Sequence, residues 1–331
     1  MTVGVRRAGP FDLPGVTSYV SAVLRDPASI IGCVLPAPLA GGAVAGWPRL
    51  LPGVLGIRSN VRVYVEEQGG RSRAAALVYE TSHRPEWVVL ILVCDPDPRG
   101  ADGAFRLLAH VCGSAARSGM HRVFGSVPDE SRPRETFFQA GFYSYTRETW
   151  YVSSGSLLPA PARDGDARSA KPVDAHDIFR FYAATTPHAV QRAEQLSVPD
   201  FDVGRGAGAF EPPHLVGGNP LAMRRAATLV ERADDRLRSL AVAFRGLERH
   251  PHLVKVRTAD GEVDRARDLL RAAACDLPMD RPVAAPVRSY EDHVARALLS
   301  DGFRESATAM LFVKELAVRI EEPALAPVVV R

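Results

Sequence analysis

The sequence predicts a mixed α/β chain that contains two copies of one structural unit. Its length of 331 residues corresponds to about two domains of ordinary size. A stretch rich in Ser, Pro and Gly, from Ser153 to Asp166, separates two regions with patterned hydrophobicity. Both regions present a similar order of predicted strands and helices, although their direct sequence identity is weak. We therefore expect a first domain at 1–153, a linker at 154–166 and a second domain at 167–322.

The first half begins with a short strand and a helix, for which Asp12 is the predicted N-cap. An apolar loop rich in proline and glycine follows from Pro27 to Pro48, and a turn at 68–70 joins the next two strands as a hairpin. The predicted elements of this half are the strands Thr2–Arg7, Val61–Glu66, Ala74–Tyr79, Trp87–Cys94, His121–Val127 and Tyr143–Val152, and the helices Phe11–Leu24, Ala101–Ser118 and Arg132–Gln139.

An apolar strand followed by a long helix is the clearest local signal in the first half. The continuous run WVVLILVC, Trp87–Cys94, is typical of a central strand that is covered on both faces. The helix that follows carries apolar residues three and four positions apart and ends at Gly119. Gly141 is the predicted C-cap of the short helix after it.

The second half repeats this order with different residues. Its predicted elements are the strand Arg168–Pro172, the helices Ala175–Ala184 and Ala189–Leu196, the hairpin strands Thr228–Arg232 and Ser239–Arg245, the central strand Leu253–Arg257, the helix Asp264–Ala274, the strand Val283–Val287, the helix Tyr290–Ser300 with its end at Gly302, and the closing strand Met310–Ile320.

Composition excludes several classes of protein. The 41 basic and 38 acidic residues give a net charge of +3, which predicts no nucleic-acid partner. The charge-free stretch Pro27–Pro48 is long enough to span a membrane, but its prolines and glycines would break a helix, so no membrane association is expected. The four cysteines form no CxxC pair, and no secretory leader is apparent, so we expect reduced thiols in the cytoplasm. His250 and His252 lack a third ligand, so no metal is expected.

Two motifs give the first half a resemblance to a known family. Leu92–Gly100 followed by Ala101–Ala104 resembles the passage from central strand to helix in the GNAT acetyltransferase superfamily, and Phe137–Phe142 resembles the closing helix with its Gly-Phe end. In the second half only Leu298–Phe303 matches closely. The resemblance implies two tandem GNAT-like domains, each a twisted, mostly antiparallel sheet flanked by helices, with the second domain degenerate.

The same resemblance implies an acyl-CoA-dependent N-acyltransferase that transfers an acetyl group to an amine of a small molecule or peptide. Acetyl-CoA, or another acyl-CoA, would be the co-substrate. A helix N-terminus offers unpaired N–H groups and a partial positive charge to its pyrophosphate, and glycines allow close approach. The family's phosphate pattern and central strand map the cofactor site onto Val93, Cys94, Arg99, Gly100, Ala101, Asp102, Gly103 and Ala104.

One residue departs from that pattern. Asp102 occupies the family's central glycine position, and a carboxylate about 4 Å from a phosphate charge would cost roughly 4 kcal/mol. Asp is also a favourable N-cap, so Asp102 could instead serve the helix. Either the Asp102 side chain points away from the pyrophosphate and Gly103 replaces the family's central glycine one position later, or the site binds CoA poorly. Acidic residues at 260, 262 and 264 crowd the corresponding helix start of the second half.

Candidate proton-transfer groups follow from the same comparison. Amine acylation needs a base, an oxyanion donor and an acid for the leaving thiolate. Glu86 is the candidate base, although a carboxylate at a strand end is commonly a solvated charge. The family's frequent tyrosine acid corresponds to Phe137 in the first half and to Leu298 in the second, and neither residue can donate a proton. Tyr143 and Tyr145 are candidate substitutes, with packing as their alternative role.

Two classes of function therefore stay open. The first is the N-acyltransferase, and the second is a non-catalytic ligand-binding or assembly protein that retains the fold and has lost CoA chemistry. The departures from the family pattern at Asp102, Phe137 and Leu298 motivate the second. A second copy of this chain is a candidate partner, because the apolar loop Pro27–Pro48 could wall an acceptor pocket or pack against another subunit.

Overall fold

A computed structural model describes most of the chain. The predicted linker 154–166 and most of the loop 27–48 lie outside the described residues. The described residues are 3–23, 30–33, 60–68, 71–81, 84–129, 134–153, 167–203, 223–247, 250–259 and 261–317.

The first half contains seven strands and three helices among its described residues. The strands are β1 (Val3–Arg7), β2 (Ile30–Cys33), β3 (Val61–Gln68), β4 (Arg71–Glu80), β5 (Glu86–Cys94), β6 (Arg122–Pro128) and β7 (Tyr143–Val152), and the helices are α1 (Leu13–Val23), α2 (Pro98–Arg117) and α3 (Arg134–Gln139). A short 3-10 turn, Pro10–Asp12, precedes α1, and the carboxylate of Asp12 accepts a hydrogen bond from the amide of Gly9.

The second half contains six strands and four helices in its described part. The strands are β8 (Arg168–Ser169), β9 (Met223–Ala233), β10 (Arg236–Gly246), β11 (His252–Thr258), β12 (Val283–Arg288) and β13 (Arg304–Glu315), and the helices are α4 (Ala175–Thr185), α5 (His188–Glu194), α6 (Val263–Ala274) and α7 (Asp292–Ser300).

One sheet of 13 strands runs through both halves. Twelve strands follow the order β1-β3-β4-β5-β6-β13-β7-β12-β11-β10-β9-β8, and β2 pairs separately with β5. Among the described strands, the pairs β5–β6 and β11–β12 are parallel and the other pairs are antiparallel. The fold is therefore mixed α+β with a mostly antiparallel sheet, as the resemblance implied.

The last strand of each half lies beside the other half. β13 sits between β6 and β7, and its residues Ala309–Glu315 pair with β6. β7 in turn pairs with β12 through Ala284–Arg288. The closing strands of the two units are thus exchanged, and neither half completes its part of the sheet from its own residues. Local sequence patterns predicted both strands, but they carry no information about this exchange.

Each half has one place where two neighbouring parallel strands separate. β5 and β6 pair only from Glu86↔Arg122 to Val88↔Phe124. β11 and β12 pair only at His252↔Val283 and Leu253↔Ala284. We call the opening between β5 and β6 beyond Val88 the first wedge, and the opening between β11 and β12 beyond Leu253 the second wedge.

Apolar residues cover both faces of the sheet. One face packs against α1 in the first half and α4 in the second, and the opposite face packs against α2 in the first half and against α6 and α7 in the second. Every residue of β5 is buried, which confirms the prediction of a central strand covered on both faces. The helix ends at Gly119, Gly141 and Gly302 are also confirmed, with φ angles of 76°, 81° and 81°.

Three of the differences from the predicted elements have clear physical reasons. α2 begins at Pro98 and not at Ala101, because Asp97 caps it and proline is well suited to the first helical position. β2 was missed, because its four residues lie in a stretch that proline and glycine mark as a loop. β13 begins at Arg304 and not at Met310, since pairing with β7 extends it.

Candidate functional site

The first wedge contains a strand of the same chain. β2 pairs with β5 at Val93, Leu92 and Ile91. β4 pairs with these same three residues on the opposite edge of β5, so β2 lies on the β6 side, inside the wedge. An extended ligand that hydrogen-bonds to this edge of β5 would have to displace β2.

The predicted phosphate turn lies within the first two turns of α2. The side chain of Asp97 accepts a hydrogen bond from the amide of Gly100 at 2.7 Å and caps the helix. Asp102 lies exposed in the second turn and does not cap the helix. The alternative role of Asp102 as the N-cap is therefore corrected to Asp97. The Gly100 amide, which would bind a phosphate in the predicted site, is therefore already bound by the Asp97 carboxylate.

The two glycines of the predicted turn are needed for packing. A Cβ at Gly100 would overlap the backbone of Asp95, and a Cβ at Gly103 would overlap the carboxylate of Glu66. Glycine therefore allows α2 to approach the end of β5 and the side chain of Glu66 on β3. The pattern that suggested a phosphate cradle has a structural explanation within the chain itself.

Carboxylates surround this helix start. Glu66 is 1% exposed, its Oε1 accepts a hydrogen bond from Arg106 Nε at 3.0 Å, and its Oε2 has no hydrogen-bond partner. Asp95 accepts hydrogen bonds from Arg73 at 2.8 Å and from the Tyr19 hydroxyl at 3.0 Å. Burial and the carboxylates of Asp95, Asp97 and Glu66 raise the pKa of the Cys94 thiol to about 12. Cys94 is therefore protonated at neutral pH and is a poor nucleophile.

Glu86 lies at the opposite end of β5 from Cys94. The two are eight positions apart, which corresponds to roughly 26 Å along a strand. The buried Glu86 carboxylate lies 2.6 Å from Arg84 and 3.5 Å from Arg122, and burial raises its pKa. Arg84 also contacts Asp200 of the second half at 3.2 Å. The structure thus places Glu86 in an ion cluster that joins the two halves and does not bring it to the helix start.

The two candidate tyrosines on β7 have different surroundings. The partly exposed Tyr143 donates a hydrogen bond to Glu315 at 3.2 Å. Tyr145 packs against Phe124, and the guanidinium of Arg288 lies 6.0 Å from the centre of its ring. Burial raises the pKa of Tyr145. Tyr145 therefore lies beside a charged residue of the second half.

The positions that correspond to the family's tyrosine acid belong to the core. Phe137 is fully buried, and its ring packs against Phe142, Phe312 and Gly125. Leu298 is 1% exposed. Neither position offers a proton donor.

On the face that carries α6 and α7, the second wedge ends at a narrow apolar crevice, which is closed in this structure and has no room for a water molecule. Among the described residues, no strand pairs with β11 on this edge beyond Leu253. The crevice is lined by apolar residues of both strands and both helices, namely Val254, Val256, Ala266, Leu270, Ala285, Pro286, Val287, Val294, Ala297 and Leu298. Because Ala285, Pro286 and Val287 are consecutive, the crevice reaches the edge of β12 itself.

The opposite face of the second wedge carries a group of charged and phenolic side chains that we call the polar cluster. At its centre, Arg257 donates hydrogen bonds to Glu291 at 2.8 Å, to the Thr186 hydroxyl at 2.7 Å and to the Tyr290 hydroxyl at 3.0 Å. The polar cluster consists of Lys255, Arg257, Arg288, Glu148, Glu194, Glu291, Tyr145, Tyr182 and Tyr290.

Residues from both halves complete the polar cluster. Arg288 is 1% exposed and lies 2.8 Å from Glu148 of β7 and 3.5 Å from Glu194 of α5. The hydroxyl of Tyr182 donates a hydrogen bond to Glu194 at 2.8 Å. Because β7 belongs to the first half, the exchange of closing strands is what brings Glu148 to this site.

Lys255 and Tyr290 are the groups of this cluster that could handle protons. Burial, together with the positive charges of Arg288 and Arg257, lowers the pKa of Lys255 to about 8. Burial raises the pKa of Tyr290 to about 12. A lysine with such a pKa can lose or accept a proton near neutral pH.

The polar cluster was not predicted from the sequence. A signal was present in β11, His-Leu-Val-Lys-Val-Arg-Thr, where Lys255 and Arg257 alternate with valines in a strand that packs on both faces. The histidine that begins this strand has a structural role. The Nδ1 of His252 accepts a hydrogen bond from the Gly246 amide at 3.2 Å, and its Nε2 lies 2.9 Å from Asp280.

The described part of the chain contains neither a cluster of metal ligands nor a membrane-spanning helix. Nowhere in it do three His, Cys, Asp or Glu side chains form a group that could hold a metal ion. Its helices are also too short or too polar to cross a membrane.

Comparisons with known proteins agree with this architecture. No family model matches the chain, and no curated protein matches it in sequence. Solved structures are similar over nearly the whole chain. A tandem GNAT protein from the clavulanic acid biosynthesis pathway, described without AcCoA, is 13% identical with a TM-score of 0.53 and covers 96% of this chain and 100% of its own.

Two other structures are similar over the same extent. A GCN5-related N-acetyltransferase from Sphaerobacter thermophilus is 16% identical with a TM-score of 0.56, over 97% of this chain and 98% of its own. A putative acetyltransferase from Pyrococcus horikoshii is 11% identical with a TM-score of 0.51, over 96% of this chain and 90% of its own. Identities this low describe the fold and not the reaction. The chain therefore has the fold of the tandem GCN5-related N-acetyltransferases.

Proposed function

We propose that this protein is an acyl-CoA-dependent N-acyltransferase and that the acyl thioester binds in the second wedge. The observation that carries the proposal is the pairing of an apolar crevice on one face of that wedge with the polar cluster on the other. An acyl-transfer site needs an apolar channel that positions the thioester and polar groups that move protons at its end. Because the crevice is closed in this structure, the thioester would have to widen it on binding.

The edge of β11 supports this location. Beyond Leu253 it has no partner strand among the described residues, and its N–H and C=O groups can bind an extended, amide-containing arm by strand addition. Acetyl-CoA carries such an arm between its thioester and its nucleotide. The same edge of β5 in the first wedge is occupied by β2, which is why the second wedge is favoured.

The first half would then have a mainly structural role. It supplies β7, with Tyr145 and Glu148, to the second wedge, while its own helix start is capped by Asp97. Cofactor binding by Val93, Cys94 and the residues from Arg99 to Ala104, with Glu86 or Tyr143 in catalysis, stays a prediction.

The remaining parts of the proposal concern the acceptor and the setting. The acceptor would be an amine of a small molecule or peptide that reaches the polar cluster from the face of α4 and α5. The reaction requires no metal. Cys94, Cys112 and Cys275 are free thiols, which suits a reducing cytoplasm. Association with a second copy of the chain also stays a proposal.

Calorimetric titration with CoA and acetyl-CoA tests the function and its location. The wild type is expected to bind saturably at micromolar ligand. Ala285→Leu, which extends a side chain into the crevice, should weaken binding at least about tenfold, equivalent to about 1.4 kcal/mol. Arg99→Ala is the matched first-half variant and should leave binding unchanged, and thermal unfolding verifies that each variant is folded.

The other outcomes separate the alternatives. If Arg99→Ala weakens binding and Asp102→Gly strengthens it, while Ala285→Leu has no effect, the cofactor site is in the first half. If the wild type does not bind at millimolar ligand, the non-catalytic alternative is correct, and the exchange of strands would then serve assembly alone.

A further inference from the structure

Lysine is rare in this chain, and the three lysine residues have very different surroundings. The sequence contains only Lys171, Lys255 and Lys314 among its 41 basic residues. Lys171 is exposed ahead of a 3-10 turn. The ammonium of Lys314 donates a hydrogen bond to the carbonyl of Ala140 at the end of α3. Lys255 alone lies in a central strand beside a wedge, so it can be distinguished chemically from the other two.

Charged groups from four segments face Lys255. Arg257 shares its strand, Arg288 lies on β12, Glu148 lies on β7, and Glu291 follows β12. The carboxylates already bind arginines, since Glu148 lies 2.8 Å from Arg288 and Glu291 accepts a hydrogen bond from Arg257 at 2.8 Å. The phenols of Tyr145, Tyr182 and Tyr290 complete the cluster, with Glu194 of α5 behind them. Two guanidinium groups thus disfavour a third positive charge at Lys255.

The position of Lys255 on the strand brings it next to the crevice. Its neighbours Val254 and Val256 line the crevice on one face, and successive side chains of a strand point to opposite faces. Lys255 therefore projects to the other side of the same strand edge, which separates from β12 at this point. Lys255 is partly buried as a residue, and its ammonium lies among the charged groups on the polar face of the wedge.

We propose that the Nζ atom of Lys255 is an acyl acceptor, modified by an acyl thioester that occupies the second wedge. The proposal rests on the thioester site described above. The lone pair of the neutral amine bonds to the thioester carbonyl carbon, and the carbon–sulfur bond breaks with its electron pair on sulfur. The proton lost by nitrogen ends on that sulfur. The products are an acyl-lysine amide and a free thiol, and no oxidant or further reactant is consumed.

The electrostatics of the cluster favour this chemistry. Because its pKa is lowered to about 8, Lys255 has a larger neutral fraction at pH 7 than an ordinary lysine. Only the neutral amine has the lone pair that attacks a carbonyl. Lys171 and Lys314 carry no comparable pair of neighbouring arginines among the contacts described, so they serve as internal references.

Peptide mass spectrometry tests the proposal on the full-length protein. Trypsin cleaves after unmodified lysine but not after acetyl-lysine. Acetylation at Lys255 therefore yields the uncut peptide His250–Arg257, HPHLVKVR, in place of two fragments. After incubation with acetyl-CoA we expect acetylation at Lys255 to exceed that at Lys171 and Lys314 by at least about tenfold. Its rate should rise with pH up to about pH 8 and then level off.

Variants and a second donor make the outcome decisive. Lys255→Arg should abolish the incorporation, and Lys171→Arg, the matched control, should retain it. If the protein binds acetyl-CoA and Lys255 stays unmodified, the acylation proposal is overturned and the proposed function stands. If acetyl-CoA does not bind, the proposed function fails, and S-acetyl-N-acetylcysteamine becomes the probe. Selective acetylation of Lys255 by that short thioester supports the acylation proposal, and equal labelling of all three lysines overturns it.

Discussion

Arg288 and Glu148 form a buried ion pair that joins the two halves of the chain. Arg288 Nε lies 2.8 Å from Glu148 Oε2, and the two side chains are 1% and 2% exposed. Arg288 ends β12 of the second half, and Glu148 lies on β7 of the first half, directly opposite it in the antiparallel register. The pair therefore forms where the exchanged strands meet, and it is part of the polar cluster beside the second wedge.

Removal of the negative charge of this pair is expected to be costly. Glu148→Gln leaves the Arg288 guanidinium buried with less compensating charge, and we expect the free energy of unfolding to fall by about 3 kcal/mol. Urea unfolding measures the change. The matched control is Asp264→Asn, which breaks the ion pair with Arg267 at 2.8 Å, where the Asp264 side chain is 83% exposed. That variant should lose less than about 1 kcal/mol, and equal losses in the two variants would contradict the prediction.

The exchange of closing strands makes each half dependent on the other. A fragment of residues 1–153 lacks β13, which pairs with both β6 and β7, so those two strands would have no partner between them. We expect this fragment to be unfolded or aggregated when it is expressed alone. Co-expression with residues 167–331 should restore a folded complex, as measured by circular dichroism and size-exclusion chromatography. A monomeric, cooperatively folding 1–153 fragment would show that the exchange is dispensable.

The order of elements could be predicted from the sequence because it depends on local patterns. The apolar run of β5 predicts a strand, and the glycines after α2 and α3 predict helix ends, from residues that are close together in the sequence. The exchange of β7 and β13 depends on pairing between residues more than 150 positions apart, and nothing in either strand specifies its neighbour. The likeness between the halves even suggested two self-contained sheets.

The candidate site was harder to predict, because burial and charge pairing depend on the tertiary structure. Glu86 looked like a solvated or catalytic carboxylate at a strand end, yet the structure buries it between Arg84 and Arg122. Lys255 and Arg257 could have been found from their alternation with valines in β11. The surroundings of these two side chains could not be predicted, because Glu148 and Glu194 of the polar cluster come from elements that are distant in the sequence.

Asp174 is expected to contribute stability that depends on pH. Its buried carboxylate binds Arg168 and accepts a hydrogen bond from the amide of Lys171 at 2.8 Å, and these contacts lower its pKa below the usual 3.8. Stability from a carboxylate with a lowered pKa is present above the unfolded pKa and is lost as pH falls through the folded one. Asp174→Asn should therefore lose about 2 kcal/mol at pH 7 and much less below pH 3. Urea unfolding across this range measures both values, and a pH-independent difference would contradict the assignment.

The helix cap of α2 gives a prediction that separates two aspartates. Asp97→Ala removes the hydrogen bond to the Gly100 amide and should reduce the free energy of unfolding by about 1 kcal/mol. Asp102→Ala changes an exposed residue in the second turn and should have an effect within about 0.5 kcal/mol. Thermal unfolding of the two variants side by side is sufficient. The reverse order of effects would mean that Asp102 is the cap, as one alternative from the sequence held.

Two glycines of α2 test whether the apparent phosphate motif is a packing motif. A Cβ at Gly103 would overlap the buried Glu66 carboxylate, whereas a Cβ at Gly113 meets only the flexible end of Arg117, at 3.4 Å. Gly113→Ala should therefore stabilise the protein by about 0.5–1 kcal/mol, the ordinary gain of alanine over glycine in a helix. Gly103→Ala should destabilise it by about 1–3 kcal/mol, because the helix or Glu66 must move. Equal stabilisation by both changes, measured by urea unfolding, would show that Gly103 has a role other than the close approach of α2 to β3.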